Sequence, residues 1–196
     1  MAARLFVALV PPATVQSELA ALAVPLGGMR WIPAENIHLT LRFIGDTEPE
    51  RQAALEAALA RVRVEPFILP VEGVGVFPSR GPAKVLWAGA GHGHPRLFQL
   101  RQQVDEALLS VDPTLDVHTF HPHFTLGRLD PKHEPKEIAH FLERHARFEA
   151  PPFRVDEFHL MASERLPGLL RQGYEGQGRP PVYRVVRSFP LAKAPA

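Results

Sequence analysis

HPHFTLGRL, residues 121–129, sets two histidines, a threonine and an arginine into a run that otherwise reads as a buried strand. In an extended chain successive side chains point to opposite faces. His123, Thr125 and Gly127 then share one face, and Phe124 and Leu126 share the other. The apolar pair can bury against a core while the histidine and threonine stand on the opposite surface, about 6.5–7 Å apart along the strand. The arrangement recurs upstream in IHLTLRFIGD, residues 37–46, with His38, Thr40 and Arg42 on one face and Ile37, Leu39, Leu41 and Phe43 on the other. The tetrad H-x-T-L thus occurs twice, each time in a strand. One copy would suit a structural histidine with ordinary β-favouring neighbours; two copies in matching contexts point to a shared site.

The chain around the tetrads alternates strands and helices. Arg4 to Val10 reads as a first strand. Val15, Leu19 and Leu22 follow i, i+4, i+7 spacing and predict a helix opening near Thr14 and broken by Pro25. After the first tetrad, Thr47 and Glu50 have capping-box spacing ahead of a helix that buries Leu55, Leu59 and Val62. Runs 67–78 and 83–89 are β-rich and joined by a turn-prone Ser79–Pro82 link. Leu97, Leu100, Val104 and Leu108 mark a third helix, and Ile138, Phe141 and Leu142 a fourth. Runs 153–163 and 182–191 read as closing strands, with a Gly-, Pro- and Arg-rich loop between them over 164–181. Each tetrad strand precedes a helix, which points to a duplication. The expected fold is α+β and bilobal, two duplicated lobes each with an antiparallel sheet and flanking helices, facing a central cleft. Residues 1–196 are expected to form one catalytic domain with pseudo-repeats at approximately 1–85 and 86–196.

Composition narrows the function. Apolar residues make up 45% and charged residues 22% of the 196, which excludes disordered and collagen-like chains. A net charge of +1 lacks the basic stripe of a protein that grips long nucleic acid through many phosphates, so a small anion or the end of a nucleic acid fits better. The absence of cysteine removes disulfides, thiolate nucleophiles and cysteine metal sites, and suits a reducing cytoplasm. MAARLFVALVPP stops at a Pro-Pro pair and reads as a strand rather than a signal peptide. No apolar run approaches the roughly 18 residues that span a bilayer. With no coiled coil or unpaired apolar stripe, a monomer is expected.

Two histidines on facing sheets suit in-line displacement at phosphorus, which needs a base on the attacking oxygen and an acid on the leaving oxygen. Imidazole titrates near pH 6.5 and serves either role, one ring starting neutral and the other protonated. The hydroxyls of Thr40 and Thr125 can donate to non-bridging phosphate oxygens. No metal and no cofactor is required. Arg42 shares the His38 face and is a candidate for substrate binding; Phe43 alternates into the core. Strict alternation puts Arg128 opposite His123, unless a twist or bulge near Gly127 re-aims it.

These features resemble the two-histidine (2H) phosphoesterases, in particular the LigT-type RNA 2′,3′-cyclic phosphodiesterases. RLFVALVPP, RWIPAENIHLTLRFIGD, VGVFPSRGPAKVLWAG, FHPHFTLGRL, LMAS and VYRVVRSFPL carry the resemblance along nearly the whole chain, and the paired tetrads are its specific part. The resemblance implies that His38 is the proton donor and His123 the proton acceptor. Thr40 and Thr125 would hold the phosphate, Arg128 matches the second motif, and the product would be a 2′-phosphomonoester. Some relatives also join RNA ends reversibly through a 2′-5′ linkage. The partners implied are RNA ends or nucleotides carrying a 2′,3′-cyclic phosphate.

Two other classes compete. His92-Gly-His94 and His121-Pro-His123 have a spacing that zinc enzymes use on strands, with Asp116, His118 or His159 as a third ligand, but that reading leaves the first tetrad without a purpose. A non-catalytic RNA-binding module would show several aromatics on an exposed sheet face, whereas Phe43 and Phe124 alternate onto the apolar one. Trp31 and Phe43 are further candidates to stack on a base, with core packing as the commoner use of such residues and the expected one for Phe43.

Overall fold

The four apolar periodicities become four helices, α1 (Ala13–Ala20), α2 (Pro49–Leu59), α3 (Pro95–Leu109) and α4 (Pro135–Arg144). Val15 and Leu19 of α1, Leu55 and Leu59 of α2, the four expected positions of α3, and Ile138 and Phe141 of α4 are all buried. The computed structural model describes residues 3–91, 93–116, 119–130, 135–164 and 182–192. Their nine strands are β1 (Ala3–Leu9), β2 (Met29–Trp31), β3 (Leu39–Thr47), β4 (Phe67–Phe77), β5 (Val85–Ala90), β6 (His123–Leu129), β7 (Glu149–Val155), β8 (Glu157–Glu164) and β9 (Val182–Pro190). Residues 165–181, most of the expected long loop, lie outside the described residues, as do His92 and His118.

All strand pairs are antiparallel, in the order β7-β4-β5-β6-β3-β1-β8-β9, with β2 added along β6. Each half of this order draws on both halves of the sequence: β8 and β9 extend β1, while β4 and β5 lie beside β6. Within the sheet, β3 and β6 join the two halves through a single ladder pair, Leu39 with Phe124. The expected strand over 153–163 is two strands broken at Asp156. β7 and β8 stand six strand steps apart in the order, about 29 Å in a flat sheet at 4.8 Å per step, whereas one linking residue spans about 3.5 Å. The sheet therefore curls, and the Phe124 and Phe153 rings, 6.3 Å apart, show that it curls around the core side.

One face carries the main core, where Leu5, Val7, Leu9, Leu39, Leu41, Leu86, Phe124 and Leu126 meet the apolar stripes of the helices. Each large side chain so buried contributes about 1.5–3 kcal/mol of transfer free energy. The other face bears a small cluster of Phe6, Ala8 and Met161, with Tyr183 against it.

Two β-bulges set which side chains reach that second face. Thr40 opposes Ala8 and Arg42 opposes Val7, so Leu41 is an extra residue in β3. Thr125 opposes Trp87 and Gly127 opposes Leu86, so Leu126 is an extra residue in β6. An extra residue shifts the alternation by one beyond it. Thr47, expected as a helix cap, instead ends β3 with its hydroxyl donating to the Gly45 carbonyl (3.0 Å), and α2 begins without a side-chain cap.

Candidate functional site

Counting outward from the Leu39–Phe124 pair, antiparallel register sets His38 beside Thr125 and Thr40 beside His123. Each histidine therefore neighbours the other tetrad's threonine. The histidines themselves are diagonal neighbours, roughly 7–8 Å apart at that register. Both rings are pinned in the same way. Nδ1 of His38 lies 2.7 Å from the Asn36 carbonyl and Nδ1 of His123 lies 2.6 Å from the His121 carbonyl. A carbonyl only accepts, so each Nδ1 carries a proton and each Nε2 is left for chemistry.

Aromatic walls fix the ring planes. His38 packs against Phe6 (5.0 Å between centroids) and edge-on to Tyr183 (4.9 Å), which also touch each other (5.3 Å). His123 meets Phe77 edge-on (4.9 Å) and Trp87 at 6.4 Å. Trp87 can lie there because position 75 is glycine: a Cβ at Gly75 would sit 2.2 Å from the indole. Desolvation is the main influence on both imidazoles and pulls each below its ordinary pKa. The Asn36 carbonyl pushes His38 back up, and charge on His123 lowers it further. The His121 carbonyl likewise raises His123, which nearby charge on His121 and Arg128 lowers.

Beyond each bulge the fifth residue after the histidine faces the site. In β6 this is Arg128, an exposed cation whose field reaches both His123 and Tyr183, in line with the re-aiming a bulge near Gly127 would produce. In β3 it is Phe43, which is 69% exposed and packs its ring 6.1 Å from Phe6. The expectation for Phe43 as a core residue is thus corrected by the bulge at Leu41. Arg42 is corrected for the same reason. It turns to the core face, is 3% exposed, and pairs with Asp105 of α3 at 3.1 Å, away from the histidines. Asp105 also takes a hydrogen bond from Arg101 Nε (2.6 Å), and Arg101 donates to the carbonyl of the bulge residue Leu41.

The aromatics absent from the expected exposed face are present after all: Phe6, Phe77, Trp87 and Tyr183 contact the two imidazoles, and Phe43 packs behind Phe6. Phe6 is hidden in the apolar run Leu5–Leu9, which reads as buried on both sides, although Phe6 and Ala8 lie on the site face. Trp31 instead packs on Phe141 of α4 (5.8 Å) and donates from Nε1 to the Val24 carbonyl (2.9 Å). Among the described residues no three His, Asp or Glu side chains cluster closely enough to share a metal ion. His94 lies against Phe67 (5.0 Å), and His159 hydrogen-bonds Ser188 through Nδ1 (2.9 Å). No helix among the described residues is long and apolar enough to cross a membrane.

A family model described as LigT like Phosphoesterase matches residues 9–87 and again 91–170, one tetrad in each match. An RNA 2′,3′-cyclic phosphodiesterase of Aeropyrum pernix is 30% identical over 182 residues, covering 93% of this chain and 96% of that one. One from Archaeoglobus fulgidus is 29% identical over 189 residues, covering 95% and 99%. Among solved structures, a Thermus thermophilus protein superposes with a TM-score of 0.77 at 26% identity, over 97% of this chain and 98% of that one. Escherichia coli LigT in complex with 3′-AMP gives a TM-score of 0.72 at 25% identity, over 98% and 100%.

Proposed function

The chain belongs to the LigT-like phosphoesterase family, and from that premise we propose that it hydrolyses RNA 2′,3′-cyclic phosphate ends to 2′-phosphomonoesters with His38 and His123 as its acid–base pair. The observation that carries this reading is the matched pair of imidazoles flanking the Leu39–Phe124 rung, each with Nδ1 tied to the carbonyl two residues back. His123 Nε2 takes a proton from water as the water oxygen bonds to phosphorus. The P–O3′ bond breaks in line, and His38 Nε2–H delivers its proton to O3′. The products are a 3′-hydroxyl and a 2′-phosphate.

The direction is the one the family resemblance implies; burial first and the positive field of Arg128 in addition favour the neutral, basic form of His123. His38 gains its proton from the anionic substrate's pull on a ring otherwise kept neutral by burial. Thr40 and Thr125 donate to the non-bridging oxygens, and Arg128 neutralises the charge that grows on them. The two proton transfers need no metal. Run in the same direction with an RNA 5′-hydroxyl in place of water, the same transfers would join O5′ to phosphorus as O3′ leaves and form a 2′-5′ linkage. We read the protein as a cytoplasmic monomer, a setting that a cysteine-free chain without a coiled coil suits.

Incubation of the purified protein with a short RNA ending in a 2′,3′-cyclic phosphate, in EDTA, tests reaction and regiochemistry together. A 2′-phosphomonoester is expected. A 3′-phosphate would refute the assignment of O3′ as leaving group, loss of turnover in EDTA would favour a metal hydrolase, and binding without turnover an RNA-binding module.

A further inference from the structure

β2 and β3 both lie along the edge of β6 that β5 leaves open. β5 pairs with Phe124 and Arg128 from one side, while Leu39 pairs with Phe124 and Arg30 with Arg128 from the other. Side chains of directly opposite residues share a face. Met29 and Trp31 pack on the main core, so Arg30 between them points to the other face, with Arg128 and the histidines. Three cross-strand rows therefore follow one another on the site face: Thr40 with His123, His38 with Thr125, and Arg30 with Arg128. Thr125 and Arg128 stand opposite Trp87 and Val85, two residues apart on β5, so the third row lies about 7 Å beyond the second.

Like charges directly opposite one another in a strand pair repel. Both guanidinium groups are exposed, and none of the ion pairs among the described residues involves either. An anion bound beside the pair would turn that repulsion into attraction. By alternation the next side chain on this face of β6 is Asp130, so the basic surface is one phosphate long rather than a track.

We propose that Arg30 binds the phosphate on O5′ of the nucleoside that carries the cyclic phosphate. The inference rests on the phosphodiesterase reading, which makes His38 the donor to O3′ and so brings that ribose to the His38 side of the site. Arg30 is the cation one row beyond His38 on that side, and O5′ is the other position at which the ribose carries an anion. Arg128, whose field reaches His123 and Tyr183, serves the cyclic phosphate. In an RNA the O5′ group is the last phosphodiester, and in a mononucleotide it is a 5′-phosphate. The preferred substrate is accordingly an end with a phosphate upstream, not a cyclic mononucleoside phosphate alone.

The test compares adenosine 2′,3′-cyclic phosphate with its 5′-phosphorylated form and with the dinucleotide ApA ending in the same cyclic phosphate. Wild-type protein should favour the two phosphate-bearing substrates in kcat/KM by about tenfold at low salt, the lower end for a charged hydrogen bond because Arg30 is exposed. The preference should shrink as added KCl screens it. Arg30→Ala should bring the ratios close to one, Arg30→Lys should retain part of them, and Arg30→Glu should push them below one. A preference confined to the dinucleotide and lost in Arg30→Ala assigns the contact to the RNA diester; one confined to the 5′-phosphate and lost likewise assigns it to the monoester. Wild-type ratios of one for both substrates, or ratios that persist in Arg30→Ala, overturn the proposal. If wild type cleaves none of the three, the phosphodiesterase reading fails, and calorimetry decides Arg30 separately. Adenosine 2′,5′-bisphosphate bound tighter than 2′-AMP, with the difference lost in Arg30→Ala, supports it. Equal binding by wild type, or a difference that persists in the variant, overturns it.

Discussion

Replacing Asp105 by alanine removes the carboxylate that faces two buried guanidinium groups. Arg42 is 3% exposed and Arg101 9%, and Asp105 lies 3.1 Å from one and 2.6 Å from the other. Breaking a buried pair costs about 3–5 kcal/mol, because the remaining charge is left without compensation. The Asp105 side chain is 19% exposed, so water can reach the space it vacates, and about 3 kcal/mol is the expected loss. With a urea m-value of about 2 kcal/mol/M, the unfolding midpoint should fall by about 1.5 M. The double variant Arg42→Met/Asp105→Leu should recover at least half of that shift, since an apolar pair of similar volume avoids the desolvation of both ions. Arg101 keeps its hydrogen bond to Leu41 and its place over the Phe120 ring in either case. Urea denaturation followed by tryptophan fluorescence reads both variants. A midpoint for Asp105→Ala within about 0.3 M of the parent would refute the claim that this carboxylate compensates buried charge.

His38→Ala and His123→Ala should each lower kcat by about 10²- to 10⁴-fold against cyclic nucleotide, and Thr40→Ala or Thr125→Ala by less; near-normal turnover removes a residue from the mechanism. Burial lowers both imidazole pKa values in the free enzyme, so the bell-shaped kcat/KM profile should be centred below about pH 6.5, and a flat profile from pH 5 to 8 counts against the pair. The same lowering sets the sign for stability. A folded state that resists protonating His38 and His123 keeps its full contribution above the unfolded value of about 6.5 and loses it as pH falls, so His38→Asn/His123→Asn should show a flatter decline in urea midpoint between about pH 7 and 5. A Cβ at Gly127 would meet Met29 Cε at 2.3 Å and the Arg30 carbonyl at 2.8 Å. Gly127→Val should therefore displace the β6 bulge and lower kcat/KM by about ten- to hundredfold, the worth of a charged hydrogen bond, while adding little to Arg128→Ala.

What could be read from the residues follows from which physical signals are periodic. Helical spacing at Leu97, Leu100, Val104 and Leu108 placed the stripe of α3 because a helix buries every third or fourth residue regardless of its neighbours. The tetrads were legible because His38 and Thr40, like His123 and Thr125, lie on the histidine side of their bulges, where alternation still holds. Arg42 and Phe43 lie beyond the bulge, and the extra residue there is a leucine, as it is in β6, so nothing in its type marks the shift. Alternation therefore exchanged a core arginine for an exposed phenylalanine. The break at Asp156 was hidden because FRVDEFHLMAS stays β-favouring on both sides of it, and the curl that demands the break is a property of the whole sheet. Tyr183 reaches His38 from the far end of the chain through β8 and β1, a long-range pairing no local pattern encodes.

The lone rung between Leu39 and Phe124 has a mechanical consequence. With only this rung joining β3 to β6, the placement of one imidazole against the other depends on the single core that both halves share and on α3 bound to β3 through Arg101 and Asp105, rather than on a ladder of strand bonds.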